Sequence, residues 1–125
     1  MSHDSVADTL NKIMNAKKRN KNEVVATIYS KLLIKILELA KSQGYIKHIG
    51  MDGKKIKIEA AEGLNKCGVV KPRFFVKKED IDKYVRRYLP ARDFGFLIVS
   101  TNKGLMTHKD AIEKGIGGCI VAYFY

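Results

Sequence analysis

The spacing of apolar residues switches at short intervals along this chain, and that switching restricts its fold more than any other feature. Val6, Leu10, Ile13 and Met14 lie at i, i+4, i+7 and i+8, one face of a helix. Ser5 caps it, with Asp8 three residues on as a capping-box-like partner. Residues 23–28 are rich in β-branched side chains and read as a strand. Ser30 then caps a second helix striped by Leu33, Ile36, Leu37 and Ala40, and Gly44 is a natural terminator. Residues 45–51 and 54–60 read as a hairpin about Asp52-Gly53, a pair suited to the positive φ of a tight turn. Ile56 and Ile58 alternate there with Lys55 and Lys57, so one face is buried and the other is basic.

Residues 63–72 are punctuated by glycine and proline and read as a connection. A short strand over 73–76 follows. Glu79-Asp80 then opens a helix whose Ile81, Tyr84, Val85 and Tyr88 share a face until Pro90. The continuous apolar run 96–99 reads as a central strand. Thr107 and Asp110 frame a short helix, residues 107–114, closed by Gly115, and residues 119–125 form a last strand. The expected fold is α+β, two small α/β subdomains packed together. The N-terminal one, residues 1–62, is α-β-α-β-β; the C-terminal one, residues 73–125, is a mixed β-sheet with short helices.

Function classes are narrowed by charge. Among 125 residues, 24 are Lys or Arg and 13 are Asp or Glu, a net charge of +11, and the pI is about 9.7. The excess is spread, +5 over residues 1–62 and +6 over residues 63–125. A compact domain with this imbalance repels itself unless a polyanion relieves it, and nucleic acid is the commonest intracellular one. A generally basic proteome, or lysine favoured for thermostability, is the alternative, and nucleic acid is preferred over it. A hydrophobic content of 46% is too high for a disordered basic tail. No apolar run reaches the ~18 residues of a membrane helix. Met1-Ser2-His3-Asp4-Ser5 lacks the basic start of a signal peptide. A soluble intracellular protein is expected.

The sequence Ser100-Thr101-Asn102-Lys103-Gly104 offers two hydroxyls, an amide and an ammonium on a polar turn after a buried strand. Hydroxyls and amides can read base edges and 2′-hydroxyls, and ammonium pairs with phosphate. The same composition also marks an ordinary solvated turn. Gly117-Gly118 either brings backbone amides close to a ligand or allows tight packing. The basic run from Lys17 and Lys18 to Lys21 is either a mobile hook for phosphate or a solvated helix end.

Catalytic and cofactor chemistry find no support. His3, His48 and His108 are isolated, Cys67 and Cys119 are 52 positions apart, and no nucleotide-binding glycine loop is present. No metal, cofactor, small-molecule substrate or catalytic residue is expected. Cys119 is expected in the core, as are Tyr29, Phe74, Phe75, Phe94 and Phe96.

From Arg92 onward the chain strongly resembles the C-terminal half of the small-subunit ribosomal protein eight family. The likeness rests on Ser-Thr-x-Lys-Gly-x-Met-Thr followed about ten residues later by Gly-x-Gly-Gly. Asp8-Thr9-Leu10-Asn11 with Ile13-Met14-Asn15-Ala16 resembles the family's first helix. Ser30-Lys31-Leu32 and Gly44-Tyr45-Ile46 resemble its second helix and hairpin. Asn65-Lys66-Cys67-Gly68, Lys71-Pro72-Arg73-Phe74 and Leu89-Pro90-Ala91-Arg92-Asp93-Phe94-Gly95 resemble the archaeal and eukaryotic branch.

The resemblance implies a structural protein of the small subunit that binds the central domain of its RNA and supports early assembly. Neighbouring small-subunit proteins would be partners, in the cytoplasm on the ribosome. The implied contacts are Ser100, Thr101, Asn102, Lys103 and Gly104, which would enter a distorted region of the RNA, with Thr107, Gly117 and Gly118 bordering them. Lys31, Lys17 and Lys18 would serve an N-terminal contact, and Arg73 and Arg92 fall in matching motifs. Many bacterial relatives carry Glu after the Gly-Gly pair, where this chain has Cys119, so that carboxylate buttress for the loop is missing. A basic DNA-compacting protein is the alternative; it explains the charge but not the polar turn on a buried strand. A small nucleotide-acting enzyme would need a polar cluster that the sequence lacks.

Overall fold

Ile56 and Ile58 point the same way from the middle of a three-stranded antiparallel sheet, and both are fully buried. The computed structural model describes residues 5–27, 31–70, 75–91 and 94–125. These divide into two compact units on either side of the Cys67–Gly68 bond. In the first, α1 (Ser5–Lys18), β1 (Glu23–Thr27), α2 (Lys31–Ser42), β2 (Ile46–Asp52) and β3 (Lys55–Ala60) follow in order. The sheet runs β1-β3-β2. Val24 pairs with Ile58 and Ala26 with Ile56 on the buried face, while Glu23, Val25 and Lys57 face solvent. Leu33, Ile36, Leu37 and Ala40 on α2 and Val6, Leu10 and Ile13 on α1 are buried, each large side chain worth about 1.5–3 kcal/mol. The expected cap Ser30 lies outside the described residues, as does Ile28 at the end of the first strand.

Both helices of this unit end in the same motif. Asn20, with φ 60°, and Gly44, with φ 88°, take the left-handed position after the last turn. Lys21 N–H then donates to Ala16 O (2.8 Å), and Tyr45 N–H to Ala40 O (3.0 Å). The backbone of the basic run after α1 is therefore set by a helix cap. Lys17 strengthens it, its Nζ donating to Ala61 O at 2.9 Å and Glu62 O at 3.3 Å.

The second unit is built on a five-stranded sheet of β4 (Cys67–Val69), β5 (Phe75–Val76), β6 (Phe96–Thr101), β7 (Gly104–Thr107) and β8 (Gly118–Phe124). The order is β4-β8-β6-β7, with β5 also on β8. A 3-10 turn at Lys78–Asp80 leads into α3 (Ile81–Tyr88), and α4 spans His108–Lys114. Val76, Ile81, Val85, Leu97, Val99, Met106, Ala111 and Ile120 form its core. Two strands were not expected. β4 lies in the segment 63–72, and β7 follows the polar turn directly. Each is too short to show a period of its own.

Candidate nucleic-acid interface

Residues 100–104 form the tip of the β6–β7 hairpin. Val99 pairs with Met106, Ser100 with Leu105 and Thr101 with Gly104. Asn102 and Lys103 are the two residues between, and neither has positive φ; Gly104 takes up the reversal at φ 106°. Below the tip, Phe96, Leu97, Ile98 and Val99 are buried, so the turn stands on a rigid support. Ser100, Asn102, Lys103 and Gly104 are exposed and Thr101 is half-buried. Thr101 Oγ1 accepts from Lys103 N–H at 3.1 Å and donates to Gly104 O at 2.9 Å. Among the described residues the Ser100 hydroxyl has no partner.

The register extends this tip into a strip. Phe75 pairs with Cys119, Cys119 with Ser100, and Ser100 with Leu105. Paired residues share a face, so these four side chains form one row across four strands, about 14 Å wide at ~4.8 Å per strand. Phe75 is 66% exposed and Cys119 is half-buried. Both correct the expectation of core positions. An exposed aromatic ring beside a polar tip is a flat surface on which a base can stack. Phe75 was legible as an aromatic, but nothing local in the sequence says which face it takes. Phe94, 47% exposed, is a second departure, whereas Phe96 is buried against Phe124 with centroids 5.3 Å apart. Tyr29 and Phe74 lie outside the described residues.

The glycines beside the tip are set by packing. A Cβ on Gly118 would run into the Ser100 carbonyl oxygen and stand 2.9 Å from Val99 Cγ1. One on Gly117 would meet the Val76 carbonyl oxygen and stand 3.1 Å from Lys77 Cα. Thr107 is separated from the exposed group. It is 4% exposed, and its Oγ1 caps α4 by accepting from Asp110 N–H at 3.2 Å. Its hydroxyl is thus already engaged in the fold. In the first unit Lys18 and Lys31 are exposed, while Lys17 holds backbone carbonyls. Arg73 and Arg92 lie outside the described residues.

Other chemistry is sparse. Among the described residues no three His, Cys, Asp or Glu side chains gather where a metal could sit, and no helix is long and apolar enough to cross a membrane. Cys67 is buried, its Sγ donating to Leu10 O at 3.8 Å while its N–H meets Met14 Sδ at 3.3 Å. Burial pushes its thiol up to about 12.

Fold and tip together define a small, strongly basic α+β protein that presents a polar turn and an exposed aromatic on a buried sheet. A sequence model of the family described as Ribosomal protein S8 matches residues 4–125. The small ribosomal subunit protein uS8 of Thermoplasma acidophilum is 43% identical over 129 aligned positions, covering both chains completely. Its counterparts in Thermoplasma volcanium and Nanoarchaeum equitans are 43% and 42% identical, again over the whole of both chains. The chain belongs to the ribosomal protein S8 family.

Proposed function

We propose that this protein is a structural constituent of the small ribosomal subunit that binds the central domain of its RNA and supports assembly there. The observation that carries this reading is the row from Phe75 to Ser100 meeting the exposed tip 100–104. A-form RNA hides the base edges of its major groove, so readers of sequence seek displaced bases. The Phe75 ring can receive such a base, the Ser100 hydroxyl and Asn102 amide can bond its edge, and Lys103 can pair with phosphate. Spread positive charge supplies affinity by counterion release. Lys18 and Lys31 are candidates for a second phosphate contact from the first unit. Gly118 acts by letting β8 approach Ser100 closely, and Gly117 by letting the chain pass close to Val76 and Lys77. Work on the ribosome in the cytoplasm, beside other small-subunit proteins, goes with this role.

A binding competition tests it. Purified protein is titrated with a central-domain ribosomal RNA fragment, a regular RNA duplex of equal length and a DNA duplex, at fixed salt. Preference for the fragment by at least a hundredfold is expected, since specific binding exceeds non-specific binding by about a thousandfold or more at physiological salt. Equal affinity for all three would sink this reading and leave a general polyanion binder.

A further inference from the structure

We infer that Thr101 is a positioning residue that braces the tip from within, leaving Ser100 as the hydroxyl that meets the ligand. The two adjacent hydroxyls look interchangeable in the sequence, but the structure uses them differently. Thr101 donates its proton to Gly104 O and accepts from Lys103 N–H, at 2.9 and 3.1 Å. A hydroxyl has one proton to donate, so Thr101 has none left for a base or a phosphate. Ser100 is exposed and keeps its proton.

The surroundings of Thr101 explain why the brace is internal. Its partner on β7 is Gly104. On β8 the register runs through Ser100 and Cys119, so Gly118 is next in line opposite Thr101. Thr101 therefore stands between two glycines, with no side chain from either neighbouring strand to hold it. The Lys103 backbone is thus tied down by Thr101, and that bond fixes the direction in which Asn102 and Lys103 leave the sheet. Phosphate pairing by Lys103 and base contact by Asn102 depend on a hydroxyl that touches neither ligand.

This inference rests on the RNA-binding reading for its purpose but has a readout independent of RNA. Thr101→Val keeps the β-branched shape and removes the hydroxyl; Thr101→Ser keeps the hydroxyl; Thr101→Ala is a second hydroxyl-free variant. Amide exchange at Lys103 is measured by NMR on the full chain without RNA, and affinity for the central-domain fragment is measured in parallel. Thr101→Val should speed Lys103 exchange about tenfold, the factor that one net hydrogen bond is worth, and weaken binding by a similar factor. Thr101→Ser should restore both. Ser100→Ala should weaken binding with Lys103 exchange unchanged. Unchanged exchange in both hydroxyl-free variants overturns the proposal. So does faster exchange with undiminished RNA affinity. If even the unaltered protein ignores the fragment, the RNA reading fails, while the exchange rates still decide whether Thr101 braces the turn.

Discussion

His108 Nδ1 accepts the backbone N–H of Leu97 at 3.0 Å, and both residues are buried. The β6–β7 ladder pairs Ile98 with Thr107, so His108 occupies the next position opposite Leu97, where the chain has already turned into α4. Its imidazole supplies the acceptor that a continued strand would have given. Thr107 makes the turn possible by capping α4 with its side chain. One end of the hairpin is thus closed by His108 and the other by Thr101.

Removing this acceptor strands a buried N–H. His108→Ala should destabilise the protein by about 1–3 kcal/mol, the usual penalty for an unsatisfied buried donor. His108→Asn, whose side-chain oxygen can approach the same place, should recover part of it. Denaturant unfolding measures both. A loss below about 0.5 kcal/mol for His108→Ala, the range of an ordinary surface change, would show that the bond has no structural weight.

Gly118 ties packing to the site. A methyl there collides with the Ser100 carbonyl and crowds Val99. Gly118→Ala should cost about 1–3 kcal/mol through forced strand separation and weaken RNA binding by moving Ser100. Gly53→Ala is the control: nothing lies within 4 Å of its Cβ, although its φ of 62° makes the turn less favourable. It should lower stability without weakening RNA binding. Equal binding by Gly118→Ala and the unaltered protein would disconnect the strand approach from the tip.

Local chemistry explains what the sequence revealed. Asp52-Gly53, Gly44, Gly115 and the Thr107–Asp110 cap each act within a few residues, so each was legible. The helices end where these signals stand, α4 with Ile116 N–H donating to Ala111 O at 3.0 Å. Faces of β5 and β8 were not legible, because they depend on which residue lies opposite. Phe75 and Cys119 look apolar in isolation, yet their pairing with each other and with Ser100 sets them on the open row. Gly68 marks β4 for a similar non-local reason: a Cβ there would stand 2.8 Å from the Tyr123 hydroxyl. The Lys17 contact is not legible in the sequence, because no local rule places the Ala61 carbonyl 2.9 Å from its ammonium.

Cys67 makes stability depend on alkaline pH. Its thiol loses its proton near 9.0 in the ordinary state and near 12 when buried in the fold. Between these values the unfolded chain binds fewer protons than the folded one. Stability therefore falls as pH rises through that window, by about 1.4 kcal/mol per pH unit, and is unaffected by this group below it. Other groups titrate there too, so the difference between unaltered protein and Cys67→Ala isolates the effect. That difference should shrink steadily from pH 9 upward; a constant difference would contradict it. At neutral pH, a thiol reagent should modify Cys119 in the native protein and reach Cys67 only on unfolding.

Lys103 and Phe75 should fail in different ways. Lys103→Ala removes one phosphate partner, so binding to the ribosomal fragment and to a regular duplex should weaken alike. The slope of log affinity against log salt should become shallower by about one. Phe75→Leu leaves charge unchanged and, at 66% exposure, should alter stability by no more than about 0.5 kcal/mol. It should nonetheless weaken the fragment about tenfold or more through loss of a stacked base, with the salt slope intact. Phe75→Tyr should bind as the unaltered protein does, because the ring face remains. A Phe75→Leu variant that keeps full affinity would remove the ring from the interface and leave the hairpin tip as the reader on that sheet.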